Sequence, residues 1–363
     1  MNSKRPALKR FLIRLGLFLL VQLAVGLFLH QFSSTESSNH YLASMQDKMD
    51  RLRSGRDARV VILGGSNTVF GIHSDIIQNA TQMSVVNLGL HVSLGLEFPI
   101  RCYLPHARRG DIVVLSPEYH VLMKESDQLG DPAVANQLIE QWGEARTYLP
   151  RAADTSWKKF FDHDSVLLAH QWVHRSIKMI RGRDKIDKVY RRSSFNEYGD
   201  LVAHREKVAP SLTPMAALAT PSVATLERTA ETLNTFVKQC EVRGVSVYLC
   251  YPPFAKSTFE ESWGAISETE QYIKSQCKIH CLNRPQDNVY HDDCFFDSSY
   301  HLNGTTGLKQ SLEIARLITE HSGISIENVA NTRSSESDAL LPPSVATWQS
   351  INGDRGSSRS SKR

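Results

Sequence analysis

Three short runs of aliphatic and β-branched residues, RVVILGG, MSVVNLGL and DIVVLSP, each give way to a stretch of helical periodicity, and this alternation constrains the chain more than any other feature. Apolar runs without polar alternation are strands buried on both faces, and strands that alternate with helices build a parallel sheet. The spacing predicts a strand at RVVILGG, a helix over Thr68–Gln78, a strand at MSVVNLGL, a helix over Leu94–His106 and a third strand running into SPEYH. A block at about 124–221, with Leu138, Trp142, Trp157 and Phe160 but no β-rich runs, reads as a helical insertion. The alternation then resumes with a helix at about Ser222–Arg243, the strand GVSVYLCYPP, a helix near Phe259–Cys277, a short strand around Lys278–Leu282 and a last helix after Asn303. An α/β domain over 59–325 follows.

The amino terminus has a different chemistry. Lys4, Arg5, Lys9, Arg10 and Arg14 flank an apolar span over 11–32, broken only by Gln22 between Leu15 and Leu29. That span matches the ~20 residues needed to cross a bilayer. Positive charge stays on the cytoplasmic side, so 1–10 is a cytoplasmic tail, 11–32 a transmembrane signal-anchor helix, and the rest extracytoplasmic at an inner membrane. A cleaved signal peptide is the rival, but HQFSSTESS has no A-x-A-like site. Residues 33–58 read as a stem and 331–363, rich in serine, as a disordered tail. The net charge of +4 comes from the two termini, leaving the body slightly acidic, which argues against a nucleic-acid partner. The six cysteines are compatible with an oxidising compartment without establishing it, and most read as small core residues, with one disulfide among Cys277, Cys281 and Cys294 as the expected exception; CKIHC lacks paired zinc-ligand spacing, so neither metal nor cofactor is expected.

Two segments carry candidate chemistry. In VVILGGSNTVFGIHS a buried strand ends at Gly64-Gly65 and presents Ser66 at the carboxyl edge of the sheet, where open α/β folds place ligands. In CFFDSSYHLNGTTGL, Asp297 and His301 stand four apart before a helix start. A serine needs a base within reach, and Asp297 can orient His301 to serve as that base. The bland readings stay open: Ser66 as a helix N-cap, Asp297 as a turn former and His301 as a surface histidine.

LGGSNTVFGI and DSSYHLN resemble the first and last sequence blocks of the SGNH, or GDSL-like, hydrolase superfamily. The anchor and the strand VYLCYPP are similar to its extracytoplasmic branch, which includes alginate O-acetyltransferase-like proteins and the D-alanyl-transfer protein of teichoic acid synthesis. The resemblance covers about 60–123 and 225–318. It implies a three-layer α/β/α flavodoxin-like domain, Ser66 as nucleophile, His301 as general base, Asp297 as its orienting acid, and an oxyanion hole from the Ser66 and Gly89 N–H groups. The family more often spaces the last pair D-x-x-H, and Glu118 stands about where it places an asparagine donor. Asn67, Glu118 and Tyr119 are candidate pocket residues; Asn196, Asp200 and His204 are weaker ones. The implied activity is ester hydrolysis or O-acyl transfer on an acylated glycan, with a polytopic membrane acyltransferase as partner if transfer is the reaction. A catalytically silent glycan-binding or scaffolding subunit is the alternative.

Overall fold

Val60, Val61, Ile62 and Leu63 are all fully buried in β1 (Arg59–Gly64), as a strand covered on both faces requires. The computed structural model describes residues 10–22, 24, 39–124, 130–149, 188–209, 212, 213 and 215–323. In it β1 lies between β2 (Ser84–Asn87) and β3 (Ile112–Ser116), and β4 (Ser246–Leu249) and a short β6 (His280–Cys281) continue the sheet in the order β2-β1-β3-β4-β6. Every pairing is parallel, with Val61 opposite Val86 and Val113. A separate parallel pair joins β5 (Phe254–Ala255) to β7 (Val289–Tyr290).

Parallel strands need crossovers, and these, with one helix before β1 and one after β7, supply both covering layers. Val60, Ile62, Val114 and Tyr248 face Ile77 of a helix at Ser74–Thr81 and Ile314 and Ile318 of a helix at Gly304–Ser322. Val61, Leu63, Val113 and Leu115 face the other way, onto Met45 and Met49 (helix Ser44–Arg53), Tyr103 (Glu97–Tyr103), Phe236 (Val223–Glu241) and Ile266 (Lys256–Gln276). Full burial of each such aliphatic side chain contributes about 1.5–3 kcal/mol. The result is an α/β fold with helices on both sides of a parallel sheet. In chain order these helices, with those introduced next, are α1 (Ser44–Arg53), α2 (Ser66–Gly71), α3 (Ser74–Thr81), α4 (Glu97–Tyr103), α5 (Tyr119–Met123), α6 (Pro132–Gln141), α7 (Val223–Glu241), α8 (Lys256–Gln276) and α9 (Gly304–Ser322).

The structure departs from expectation in four places. The helix predicted over Thr68–Gln78 is two, α2 and α3, because Ile72 and His73 are drawn out of helical geometry: the His73 N–H donates to Ser311 Oγ at 2.7 Å and Asp200 takes both the N–H and hydroxyl of Ser74. The helix predicted over Leu94–His106 shortens to α4 and a 3-10 turn at Leu104–His106, since Gly95 takes φ 74 and ends the preceding turn. Part of the expected stem belongs to the domain: Met45, Met49 and Leu52 of α1 are wholly buried against the sheet, and the buried Lys48 ammonium donates to the Asn87, Gly89 and Gly199 carbonyls at 3.1, 2.6 and 2.6 Å. Cys277, Cys281 and Cys294 are free, as are the other three cysteines; they sit at the end of α8, in β6 and in a 3-10 turn at Asp292–Cys294. Residues 10–22 are helical with exposed apolar side chains, and among the described residues no helix is long and apolar enough to cross a membrane. The rest of the predicted span, much of the predicted insertion and the predicted tail lie outside the described residues.

The amino end of the sheet is closed by a buried carboxylate. Asp111, at 0% exposure, accepts hydrogen bonds from the Arg59 N–H, the Arg108 N–H and the Tyr103 hydroxyl at 3.1, 3.0 and 3.0 Å, and faces the Arg59 guanidinium at 3.6 Å. The carboxyl end carries the candidate site.

Candidate active site

In this strand order the crevice forms between β1 and β3, where the crossovers diverge to opposite sides. Ser66 opens α2 directly after β1, and Glu118 follows β3. Gly65 is needed here for room: a Cβ on it would lie 2.8 Å from Glu118 Oε1 and 3.3 Å from Val92 Cα.

Asp297 and His301 arrive from the other end of the chain. An antiparallel bridge between Phe295 and Leu302 closes a loop, tightened by bonds from the Phe296 N–H to the His301 carbonyl (2.6 Å) and from the His301 N–H to the Ser298 carbonyl (3.2 Å). The closed loop turns Asp297 and His301 to one side, so the four-residue spacing suffices. Asp297 Oδ1 lies 2.6 Å from His301 Nδ1, and His301 Nε2 lies 2.8 Å from Ser66 Oγ. With a proton on Nδ1 directed at Asp297, Nε2 is left as the acceptor for the serine proton. Phe70 stacks on the imidazole, ring centroids 4.0 Å apart and planes within 3°. Because Phe70 follows Ser66 by one helical turn, a single short helix presents both the serine and the surface against which His301 lies.

Burial pushes the Asp297 carboxyl up, but the His301 hydrogen bond and charge, with a hydrogen bond from the Tyr190 hydroxyl, outweigh it and hold the group below the ordinary aspartate range. The carboxylate is therefore kept ionised beside the imidazole.

Glu118 takes a part that an asparagine would not. At 3% exposure, its Oε1 accepts from the Ser66 hydroxyl at 2.9 Å and from the Asn67 N–H at 3.2 Å. The single Ser66 proton thus has two acceptors, Glu118 and His301. The Gly89 N–H, expected in the oxyanion hole, is instead bonded to Asn87 Oδ1 at 3.0 Å, and a Cβ at Gly89 would lie 1.9 Å from Thr68 Oγ1. Gly89 thus serves close packing of its turn on α2. The Ser66 N–H has no partner among the described residues.

Two expected pocket residues are structural. Asn67, 1% exposed, accepts from the Gly65 N–H at 3.1 Å and donates to the Ser116 carbonyl at 3.0 Å, tying the end of β1 to that of β3. Tyr119 is buried among Tyr251, Phe254 and Tyr300, its N–H donating to the Tyr300 hydroxyl at 3.1 Å. The weaker candidates are supports as well: Asp200 holds Ser74 and Asn87, Asn196 takes the N–H groups of Tyr198 and Asp200, and His204 Nε2 stands 3.1 Å from the Leu302 carbonyl. Tyr190 and Phe70 went unanticipated; the one available signal was the four-residue step from Ser66 to Phe70.

No family model matches the chain, and no curated protein matches it.

Proposed function

We propose that this chain is a membrane-anchored, extracytoplasmic serine esterase or O-acyltransferase of the SGNH type, acting on an acylated envelope glycan or similar polymer. The observation that carries the reading is the unbroken chain from Asp297 through His301 to Ser66, made between residues 235 apart in sequence. Ser66 Oγ attacks the acyl carbonyl as its proton passes to His301 Nε2, and Asp297 stabilises the imidazolium. The imidazolium then protonates the departing alcohol, leaving an acyl-serine. Water resolves that ester in a hydrolase; a sugar hydroxyl does so in a transferase, which would draw its acyl group from a polytopic membrane partner. The Ser66 N–H is available to the oxyanion, and the Asn67 N–H becomes available once Glu118 releases it.

Glu118 also supports a second reading, a silent binding or scaffolding subunit. A carboxylate that holds the Asn67 N–H and competes for the Ser66 proton opposes the charge an oxyanion would bring. A fluorophosphonate probe separates the two: labelling of the wild type that vanishes in Ser66→Ala is expected of the enzyme, and a folded wild type that never labels is the scaffold. A panel of acetyl esters then reports hydrolysis.

A further inference from the structure

Asp297 has a second partner that a serine–histidine–aspartate relay does not use. Its Oδ2, the oxygen not directed at His301, accepts a hydrogen bond from the Tyr190 hydroxyl, which also stands 3.5 Å from His301 Nδ1. The Tyr190 ring lies against Phe70 and Tyr41, with centroids 5.5 and 5.9 Å away, so the ring that supports His301 locates Tyr190 too.

Tyr190 is itself seated by the segment that begins the domain. The Arg192 N–H donates to the Asn39 carbonyl at 3.0 Å and the Ser193 N–H to Asn39 Oδ1 at 2.8 Å, while His40 and Arg191 form an antiparallel bridge. The Arg192 guanidinium grips Asp47 with two bonds of 2.7 and 2.6 Å. Tyr41 in turn is pinned by its hydroxyl to the Leu90 carbonyl at 2.5 Å. Residues 39–47 and 190–193 thus form a clasp whose inner end is the tyrosine on Asp297.

We propose that Tyr190 is a positioning residue for the acyl-transfer site: it fixes the plane of the Asp297 carboxylate so that His301 is aimed at Ser66, and residues 39–47 hold it there. The inference rests on the proposed acyl-transfer reading. A carboxylate with one partner can rotate about that contact, whereas one with a donor on each oxygen cannot turn without breaking a charge-assisted bond. Among the described residues, the titratable groups near Tyr190, Asp297 and His301 include Tyr41 from the clasp, Glu118 after β3, and His91 and His204, whose charges act on His301.

The test uses the full chain and a fluorescent fluorophosphonate, with labelling rate constants measured from pH 5 to 9 and folding checked by circular dichroism. Tyr190→Phe keeps the ring and removes one donor to a charged group, so labelling is expected to slow by on the order of tenfold. The acid side of its pH profile is expected to move to higher pH, because a carboxylate that has lost a donor holds the histidine's proton more tightly. Arg192→Ala, which breaks an exposed ion pair, is expected to move both readouts the same way by a smaller factor, about threefold. A Tyr190→Phe protein that labels at the wild-type rate with an unmoved acid limb overturns the inference. If Tyr190→Phe does not fold, Tyr190→Met, which also removes the donor to Asp297, decides, and wild-type labelling with an unmoved acid limb in it has the same force. A slowed Tyr190→Phe beside an unchanged Arg192→Ala supports the tyrosine and removes the clasp. A wild type that never labels defeats the acyl-transfer reading and this inference with it, a result distinct from a labelled wild type matched by its Tyr190→Phe variant.

Discussion

The two ends of the sheet each bury a carboxylate directly after or before a strand, and they use it in opposite ways. Asp111, at the amino end, has its oxygens occupied by two backbone N–H groups and a tyrosine hydroxyl, with an arginine beside them. Glu118, at the carboxyl end, is almost as buried, yet its Oε1 depends on one backbone N–H and on the hydroxyl of Ser66, and its nearest cationic candidate, His120 Nδ1, is 3.9 Å from Oε2. A complete donor set makes a buried carboxylate into scaffold; an incomplete one leaves it competing for a proton that another group needs. Burial alone does not separate the two.

The contrast is open to test, and its largest effects belong to the carboxyl end. Ser66→Ala and His301→Ala should each abolish fluorophosphonate labelling, and Asp297→Asn should slow it by on the order of 10³ to 10⁴, by analogy with other triads. A folded His301→Ala protein that labels at full rate would falsify the triad. At the amino end the effect should be on stability alone. Asp111→Ala leaves the Arg59 guanidinium buried without its carboxylate, an expected loss of about 3–5 kcal/mol in urea unfolding, while labelling per folded molecule stays unchanged. A fall in activity without loss of stability would show that the two ends are coupled.

Glu118→Gln sharpens the comparison with a smaller effect. An amide removes the competing acceptor charge and adds a donor beside Ser66, so labelling should rise by about tenfold or less. A steep fall would show that the carboxylate itself takes part in the reaction. Should Glu118→Gln gain labelling that the wild type lacks, the wild-type chain is the silent subunit.

The smallest effect is the acid dependence of Asp297. Its folded carboxyl ionises at lower pH than the ordinary value of about 3.9 that it has in the unfolded chain, so its contribution to stability is fully present above that value and is lost as the pH falls through the folded one. The Tm gap between wild type and Asp297→Asn should therefore narrow on acidification below about pH 4. A gap that is constant with pH would mean that the folded environment does not favour the charged form.

The strands and the Ser66–His301–Asp297 set were readable in the chain for a shared physical reason: both are written in short stretches. An apolar run buried on two faces has no polar residue to disguise it, and a serine after a strand or an aspartate four residues before a histidine needs only local spacing. Features that depend on a distant partner were not readable in this way. Met45, Met49 and Leu52 have the spacing of a buried helix face, but nothing local says that the sheet is what covers it. The break between α2 and α3 is imposed by Ser311 and Asp200, far along the chain. Glu118 was visible as a departure from the pattern of the family that the sequence resembles, but its hold on the Asn67 N–H depends on the close approach that Gly65 permits. Tyr190, in DKVYRRSS, follows no spacing rule relative to Asp297; its place comes from pairing with residues 39–47.

The separation of Ser66 from His301 by 235 residues also sets an order in time. A chain made from its amino terminus completes β1 and Ser66 early, but the loop that closes at Leu302 comes late, on the order of ten to fifty seconds afterwards at about 5–20 residues per second. Until then the serine is an alcohol without a base. Ser66 thus meets His301 only once the loop before α9 has closed and docked, and a chain cut before Leu302 should not label with the fluorophosphonate.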